Sequence, residues 1–463
     1  MNPERVFRAV LLVVAIGLVY TLSPLTFWFA IGIVPVVLLG TRGLDSDERR
    51  WVTGMLVVAI ALRLLVIAGL FLATDHSQVP FGSFFGDEEY FIKRSLWLRN
   101  LALGFPLHRF DLEYAFEPHG SSRYVYLLAL IQMLVGPSPY GLHLLGVFFY
   151  TFAVLLLYRL IRTTFGRAPA CFGLAVLLFL PSLFAWSVSV LKEPLFMLAG
   201  ALSLTLAVKL IRVSSPQSRG WALVGIITLA AALEGIRRNG AAFGLAGVLV
   251  GLTIGFFVMH PRFLLAAVVA TPILLGAVLS SPDVQLKTYV AVQSAARQHW
   301  GMVVVSRGYP YQLLDERFYP DLNEISSLQF GETLRFLARA VVTYVTVPLP
   351  WMVQSRAALA YLPEQIAWYA LAALAFVGVL FAFRYDALVA GLLVGQTLVV
   401  AAAVAFTSGN VGTLVRHRGL ALPYIVWLSG VGVCDLLAAL RRRSHPAPPF
   451  IPRTSSLPDV RST

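Results

Sequence analysis

Charge is what this 463-residue chain has least of: 13% of its residues are Asp, Glu, Lys or Arg, against 58% hydrophobic. Soluble domains carry roughly a quarter charged residues, so an ordinary water-facing surface is excluded. Cysteine is almost missing. Cys171 and Cys434 both fall inside apolar runs, which argues against a disulfide framework. The histidines are scattered, with no HxxxH or CxxC spacing, and this disfavours a structural metal site. Neither a P-loop nor a GxGxxG ahead of a soluble αβ unit occurs, which disfavours an ATP-driven pump. No internal repeat is evident.

What is present is apolar length. Mean hydropathy is +0.78, and runs long enough for a ~30 Å hydrocarbon core recur from end to end. They fall at about 9–22, 25–40, 51–73, 141–161, 168–186, 194–211, 219–235, 240–258, 262–281, 364–383, 386–406 and 418–437. The expectation is an all-α, polytopic membrane helix bundle of about twelve spans. Arg5 and Arg8 before an apolar run resemble a signal sequence, but no small-x-small cleavage site follows, so the segment reads as a retained anchor.

Net charge is +13, nearly all of the positive charge being arginine. Nucleic acid is the usual first guess for a basic chain. Here, however, the arginines cluster at the ends of apolar runs, as the positive-inside rule explains without any nucleic-acid partner. Arg42, Arg49, Arg50, Arg162, Arg167, Lys209, Arg212, Arg219 and Arg441 to Arg443 share one side if the N-terminus is cytoplasmic. That places both termini in the cytoplasm of a cell (inner or plasma) membrane protein. It holds only if the apolar stretches 124–135 and 334–351 do not cross, and both read as interfacial or re-entrant helices on the outer face. The domain is then 1–443, with outer loops near 74–140 and 282–363. The Pro/Ser/Arg-rich tail 444–463 reads as disordered.

Four polar strings sit on the outer side of this arrangement. Asp87-Glu88-Glu89 places three like charges in sequence, which costs energy unless a proton or cation shares the site. The segment after it, with Phe91, Leu96 and Trp97, suits a helix lying on the membrane with Lys93 and Arg94 toward phosphates. A carboxylate there can be a general base for an acceptor hydroxyl, or hold a divalent cation such as Mg or Mn, with Asp87 and Glu88 as ligands. A merely solvated acidic loop is the competing reading. Lys192-Glu193-Pro194 opens a span, where Glu193 is either a helix cap or a cavity carboxylate. Arg237-Arg238 lies against the positive-inside trend and points to an anion such as a lipid phosphate, ordinary loop basicity being the alternative. In the string 408–418, glycines around Asn410 let backbone N–H groups approach a phosphate that Arg416 and Arg418 clamp. His417 reads as uncharged and structural.

At these residues the chain resembles the GT-C superfamily of integral membrane glycosyltransferases, the group that includes protein O-mannosyltransferases and lipid A aminoarabinose transferases. Those enzymes carry Asp-Glu and a following Tyr in the first large outer loop, matched by Asp87-Glu88 and Tyr90. The family commonly has two residues between Glu and Tyr; here only Glu89 intervenes. The run 122–130 resembles the family's juxtamembrane helix, and Gly136-Pro137-Ser138 its Gly-x-Ser before a span. Glu193 matches the acidic residue that opens the second outer loop. The resemblance covers roughly residues 80–430.

It implies transfer of a sugar from a polyprenyl-phosphate donor to a lipid, glycan or protein acceptor outside the cytoplasm, amid membrane lipids. Asp87, alone or with Glu88, would be the base or acceptor-orienting acid, and Glu193 the second cavity carboxylate. Arg237, Arg238, Arg416 and Arg418 would hold the donor phosphate, with Glu89, Tyr90, Lys93, Lys192 and Asn410 also on the substrate side. The alternatives are an O-antigen-type polymerase or ligase and a transporter of lipid-linked glycans. A transporter should carry mid-span ionisable residues and inverted repeats.

Overall fold

The computed structural model describes residues 23–116, 123–237, 240–263, 266, 270, 276, 280–305, 330–352 and 356–444. Every regular element among them is helical. In chain order these are α1 (Pro24–Thr41), α2 (Ser46–Ala73), α3 (Gly86–Ala102), α4 (Arg109–Ala115), α5 (Arg123–Val135) and α6 (Leu142–Phe165). A second group follows: α7 (Arg167–Phe179), α8 (Pro181–Ser187), α9 (Glu193–Arg212), α10 (Pro216–Ile236) and α11 (Gly240–Met259). The last are α12 (Pro282–Val305), α13 (Phe330–Thr346), α14 (Arg356–Tyr385), α15 (Ala387–Thr407), α16 (Val411–Arg418) and α17 (Leu422–Ser444).

Nine of the described helices are long and apolar enough to cross a membrane: α1, α2, α6, α9, α10, α11, the 361–385 part of α14, α15, and most of α17. These are the helices of a multi-pass membrane protein. The span expected at 168–186 is instead a broken pair, α7 and α8 meeting at 66°. Pro181 explains the break, because proline cannot continue the ladder of backbone bonds. The expected spans 9–22 and most of 262–281, like the tail 445–463, lie outside the described residues.

Backbone freed by a break inside a bilayer must be satisfied by protein. Arg63, two turns and more inside α2, does this here. It is 1% exposed; its Nε donates to Ser187 Oγ at 2.6 Å, and its Nη2 donates to the Leu178 carbonyl at 2.9 Å. Its guanidinium also lies 4.5 Å from the Phe184 ring centroid. A charge buried in mid-span without a carboxylate is thus spent on pinning α7 and α8 together.

Without water between helices, packing depends on how closely backbones approach. Gly247, Gly251 and Gly255 give α11 a side-chain-free face against Gly391 and Gly395 of α15. A Cβ on Gly251 would meet the Cα of Leu392 at 2.5 Å, so only glycine permits the contact. At one end of the bundle, Glu48 of α2 is fully buried and paired with Arg162 of α6 at 3.1 Å, with the Tyr158 hydroxyl donating to it at 2.6 Å. Arg212 and Asp386 pair where α9 ends and α15 begins. The basic residues grouped by the sequence therefore gather at one end. The polar strings 86–89, 192–193, 237 and 410–418 stand at the other.

At that second end the connection 74–140 is largely helical among its described residues. Residues 74–140 hold α3, α4 and α5, and α3 packs along α5. Burial of Phe91, Ile92 and Leu98 against Tyr124, Val125 and Leu128 draws α3 into the protein. The expected membrane-facing surface of Phe91, Leu96 and Trp97 is therefore absent: Phe91 is core, and Trp97 packs edge-on against Tyr114. Arg94, expected to face phosphates, is buried with its guanidinium on the Ala115 carbonyl and over the Tyr90 ring.

Candidate functional site

The Val188–Leu191 stretch between α8 and α9 is a buried, non-helical segment whose carbonyls need partners. His143 of α6 supplies one, its Nδ1 lying 2.8 Å from the Val188 carbonyl, and so carrying the proton. Tyr124 of α5 supplies another, donating to the Leu191 carbonyl at 3.2 Å. Gly146 lets α6 come this near, since a Cβ there would sit 2.5 Å from the Ser189 carbonyl oxygen. So held, the segment delivers Lys192 and Glu193 to the start of α9.

Glu193 makes no capping hydrogen bond. Its side chain is 2% exposed, both oxygens lack a hydrogen-bond partner among the described residues, and Oε1 lies 3.5 Å from Arg416 Nη2. The fold does not use Glu193 as a side-chain cap but sets it against Arg416. Arg416 Nη1 reaches Asp87 at 2.5 Å on its other side. Three residues distant in sequence, Asp87, Glu193 and Arg416, thus meet at one end of the bundle. Asp87 lies in the first turn of α3, where the helix dipole favours acids, and its side chain is 57% exposed.

Around this trio the charge is net positive. Lys192 and Arg237 are half-buried, and neither side chain has a hydrogen bond or ion pair among the described residues. Desolvation lowers the pKa of both from ordinary values, Glu193 opposes that, and each cation feels Arg416. For Arg416 burial also lowers the pKa, but Glu193 and Asp87 more than offset it, so its net shift is upward. His417 is held well below the ordinary imidazole value by burial and by Arg237, Arg416 and Lys192, and is neutral. Burial, then Glu193 and Glu88, pushes the Tyr124 phenol up.

No family model, curated protein or solved structure matches this chain.

Several residues expected at the substrate stand elsewhere. Arg418 cannot clamp with Arg416, because helix positions two apart point to opposite faces. It is 2% exposed, with Nη1 on Gln365 at 3.0 Å, Nη2 on the Tyr344 and Val347 carbonyls, and its plane 4.6 Å from the Trp368 ring centroid. It ties the end of α13 to α14 and α16. Asn410 spends its side-chain oxygen as the N-cap of α16, accepting from the Thr413 amide at 2.7 Å. Lys93 and Glu89 pair with each other one turn apart on α3, and Tyr90 packs between Phe91, Tyr114 and Arg94. Arg238 lies outside the described residues.

Asp87 and Glu88 do not fit as ligands of one divalent cation. Adjacent on a helix, they diverge: Asp87 faces Arg416, whereas Glu88 is 0% exposed with its Oε2 3.6 Å from His143 Nδ1. Among the described residues no three metal-binding side chains cluster. Burial pushes the Glu88 carboxyl up to about 7, with the backbone of Val190, Phe84 and Phe85 pulling the other way. The sign follows from linkage. Between its ordinary 4.5 and about 7, the folded state keeps a proton that the unfolded state has released. Stability should therefore fall as pH rises through that window, by an amount on the order of 3 kcal/mol. Thermal unfolding in detergent checks this: Glu88→Gln should flatten the slope, and an unchanged slope would exclude Glu88 as its source.

The sequence alone had not singled out Arg63, Tyr124 or His143 for these roles. Arg63 did carry a signal, a lone ionisable residue within an apolar run. His143 and Tyr124 carried none, since their importance is as partners of a backbone segment visible only when folded.

Proposed function

We propose that this protein is a membrane glycosyltransferase of GT-C type, moving a sugar from a polyprenyl-phosphate donor to an acceptor hydroxyl at the non-cytoplasmic face. The observation that carries the reading is a cluster of three cations, Lys192, Arg237 and Arg416, around two carboxylates, Asp87 and Glu193, with two of the cations unpaired among the described residues. Unpaired half-buried cations at a helix-bundle mouth favour an anionic ligand. The basic residues flanking the spans at Arg42, Arg49, Arg162 and Arg212 lie at the opposite end of the bundle, which supports an outward-facing site.

In this reading the acceptor oxygen attacks the anomeric carbon as the bond from that carbon to the phosphate oxygen breaks. The electron pair leaves with the phosphate, and the hydroxyl proton passes to the Asp87 carboxylate. Charge grows on the departing phosphate, so cations fixed beforehand stabilise the transition state more than the ground state. Glu193 keeps Arg416 and Lys192 oriented. The reaction as written needs no divalent ion, and addition of EDTA or Mg tests whether one takes part.

Replacing Lys192 or Arg237 with Gln should weaken binding of undecaprenyl phosphate by roughly 10- to 100-fold each, the range for a charged hydrogen bond. Titration of the purified protein in lipid nanodiscs measures it. Wild-type affinity in both variants would remove the phosphate from this pocket.

A further inference from the structure

The site holds buried polar atoms that the protein does not satisfy. Among the described residues, Arg416 Nε is buried without a hydrogen-bond partner, and so are both oxygens of Glu193. Buried polar atoms left this way cost free energy and call for a missing partner. Arg416 meanwhile holds Asp87, the carboxylate that the reading above needs free, at 2.5 Å. The two carboxylates differ in what they lose if Arg416 moves. Asp87 is 57% exposed and regains water; Glu193 is 2% exposed and would be left as a bare buried charge. Arg416 therefore lets go of Asp87 before Glu193.

We infer that the Arg416–Asp87 pair is an autoinhibitory latch: an anion entering beside Lys192 and Arg237 takes over the Nη1 branch of Arg416 and unmasks the Asp87 carboxylate. The inference rests on the anionic-ligand reading of the same pocket, and it adds an order of events. Before the donor arrives, Asp87 is ion-paired to Arg416 through Oδ2, so acceptor hydroxyls and water meet a weaker base. Donor binding both fills the orphaned hydrogen-bonding positions and creates the base. A membrane enzyme facing bulk water gains from this, because the sugar donor is exposed to hydrolysis only when the pocket is occupied.

Competition for Arg416 makes a thermodynamic prediction with an uncommon sign. Asp87→Asn removes the competitor and should tighten anion binding by about 2- to 5-fold, the coupling expected of a partly exposed ion pair. Asp87→Glu keeps the charge and should not tighten it. The probes are pyrophosphate and undecaprenyl phosphate, titrated separately against the protein in nanodiscs. Because any lost negative charge favours anions somewhat, the cycle is repeated in Arg416→Gln. There the Asp87→Asn effect should vanish. Should Arg416→Gln not fold, Arg416→Lys replaces it, since a single ammonium beside Glu193 lacks the branch that reaches Asp87. Unchanged affinity in Asp87→Asn, or equal tightening in both backgrounds, overturns the latch. If pyrophosphate follows the cycle while undecaprenyl phosphate does not bind, the latch stands and the polyprenyl donor falls. Absence of binding by either probe to the wild type ends both.

Discussion

Asp87→Asn is expected to lower sugar transfer by about 10²- to 10⁴-fold, the contribution typical of a general base. Folding should be nearly untouched. Asp87 stands on the rim with a 57% exposed side chain, and an ion pair that exposed contributes at most about 1 kcal/mol. The two effects separate cleanly: radiolabel transfer from a polyprenyl-phosphate sugar reports the first, and the thermal unfolding midpoint the second. Because the same variant should bind the donor at least as tightly as wild type, the loss must appear in kcat rather than in KM. Full transfer by Asp87→Asn would mean that another group takes the acceptor proton, and the pocket's carboxylates would then need new roles.

The other large effect is on the fold. Arg63→Ala should destabilise the protein by about 3–5 kcal/mol, the range for deleting one member of a buried polar network. Three losses combine. Ser187 and the Leu178 carbonyl lose their partner, the break between α7 and α8 loses its pin, and a void opens beside Phe184 and Tyr150. Arg63→Lys should recover only part, because one ammonium cannot direct hydrogen bonds along the several bearings of the guanidinium fork. Melting in detergent, followed by the yield of monodisperse protein, measures it. An Arg63→Ala variant that melts with the wild type would show that the broken pair holds without the arginine. The site depends on that pair, since α8 leads directly into the segment carrying Lys192 and Glu193.

Much of the architecture was written in hydropathy. Long apolar runs have few ways to satisfy their backbones in lipid other than as helices, so nine expected spans reappear as long apolar helices. The amphipathic guesses for 91–97 failed because they assumed lipid as the partner, whereas α5 supplied a protein surface for Phe91 and Arg94 to bury against. Proximity in sequence misled at Arg416 and Arg418, which a helix sends in opposite directions. It misled again at Asp87 and Glu88, whose neighbouring carboxylates occupy an exposed rim and a closed interior.

By itself the sequence determined that the chain is a bundle of apolar helices with the basic clusters near 42–50, 162–167, 209–219 and 441–443 sorted to one end, because period, length and charge are local properties that survive without a partner. It also marked Asp87, Glu193 and Arg416 as out of place. Only the tertiary structure decided that these three meet, that Arg418 and Asn410 serve the fold, and that Lys192 and Arg237 stand without partners among the described residues. Contact between residues hundreds of positions apart depends on where helices cross and which faces they bury, and a glycine at position 146 or 251 settles that by fractions of an ångström that no periodicity records.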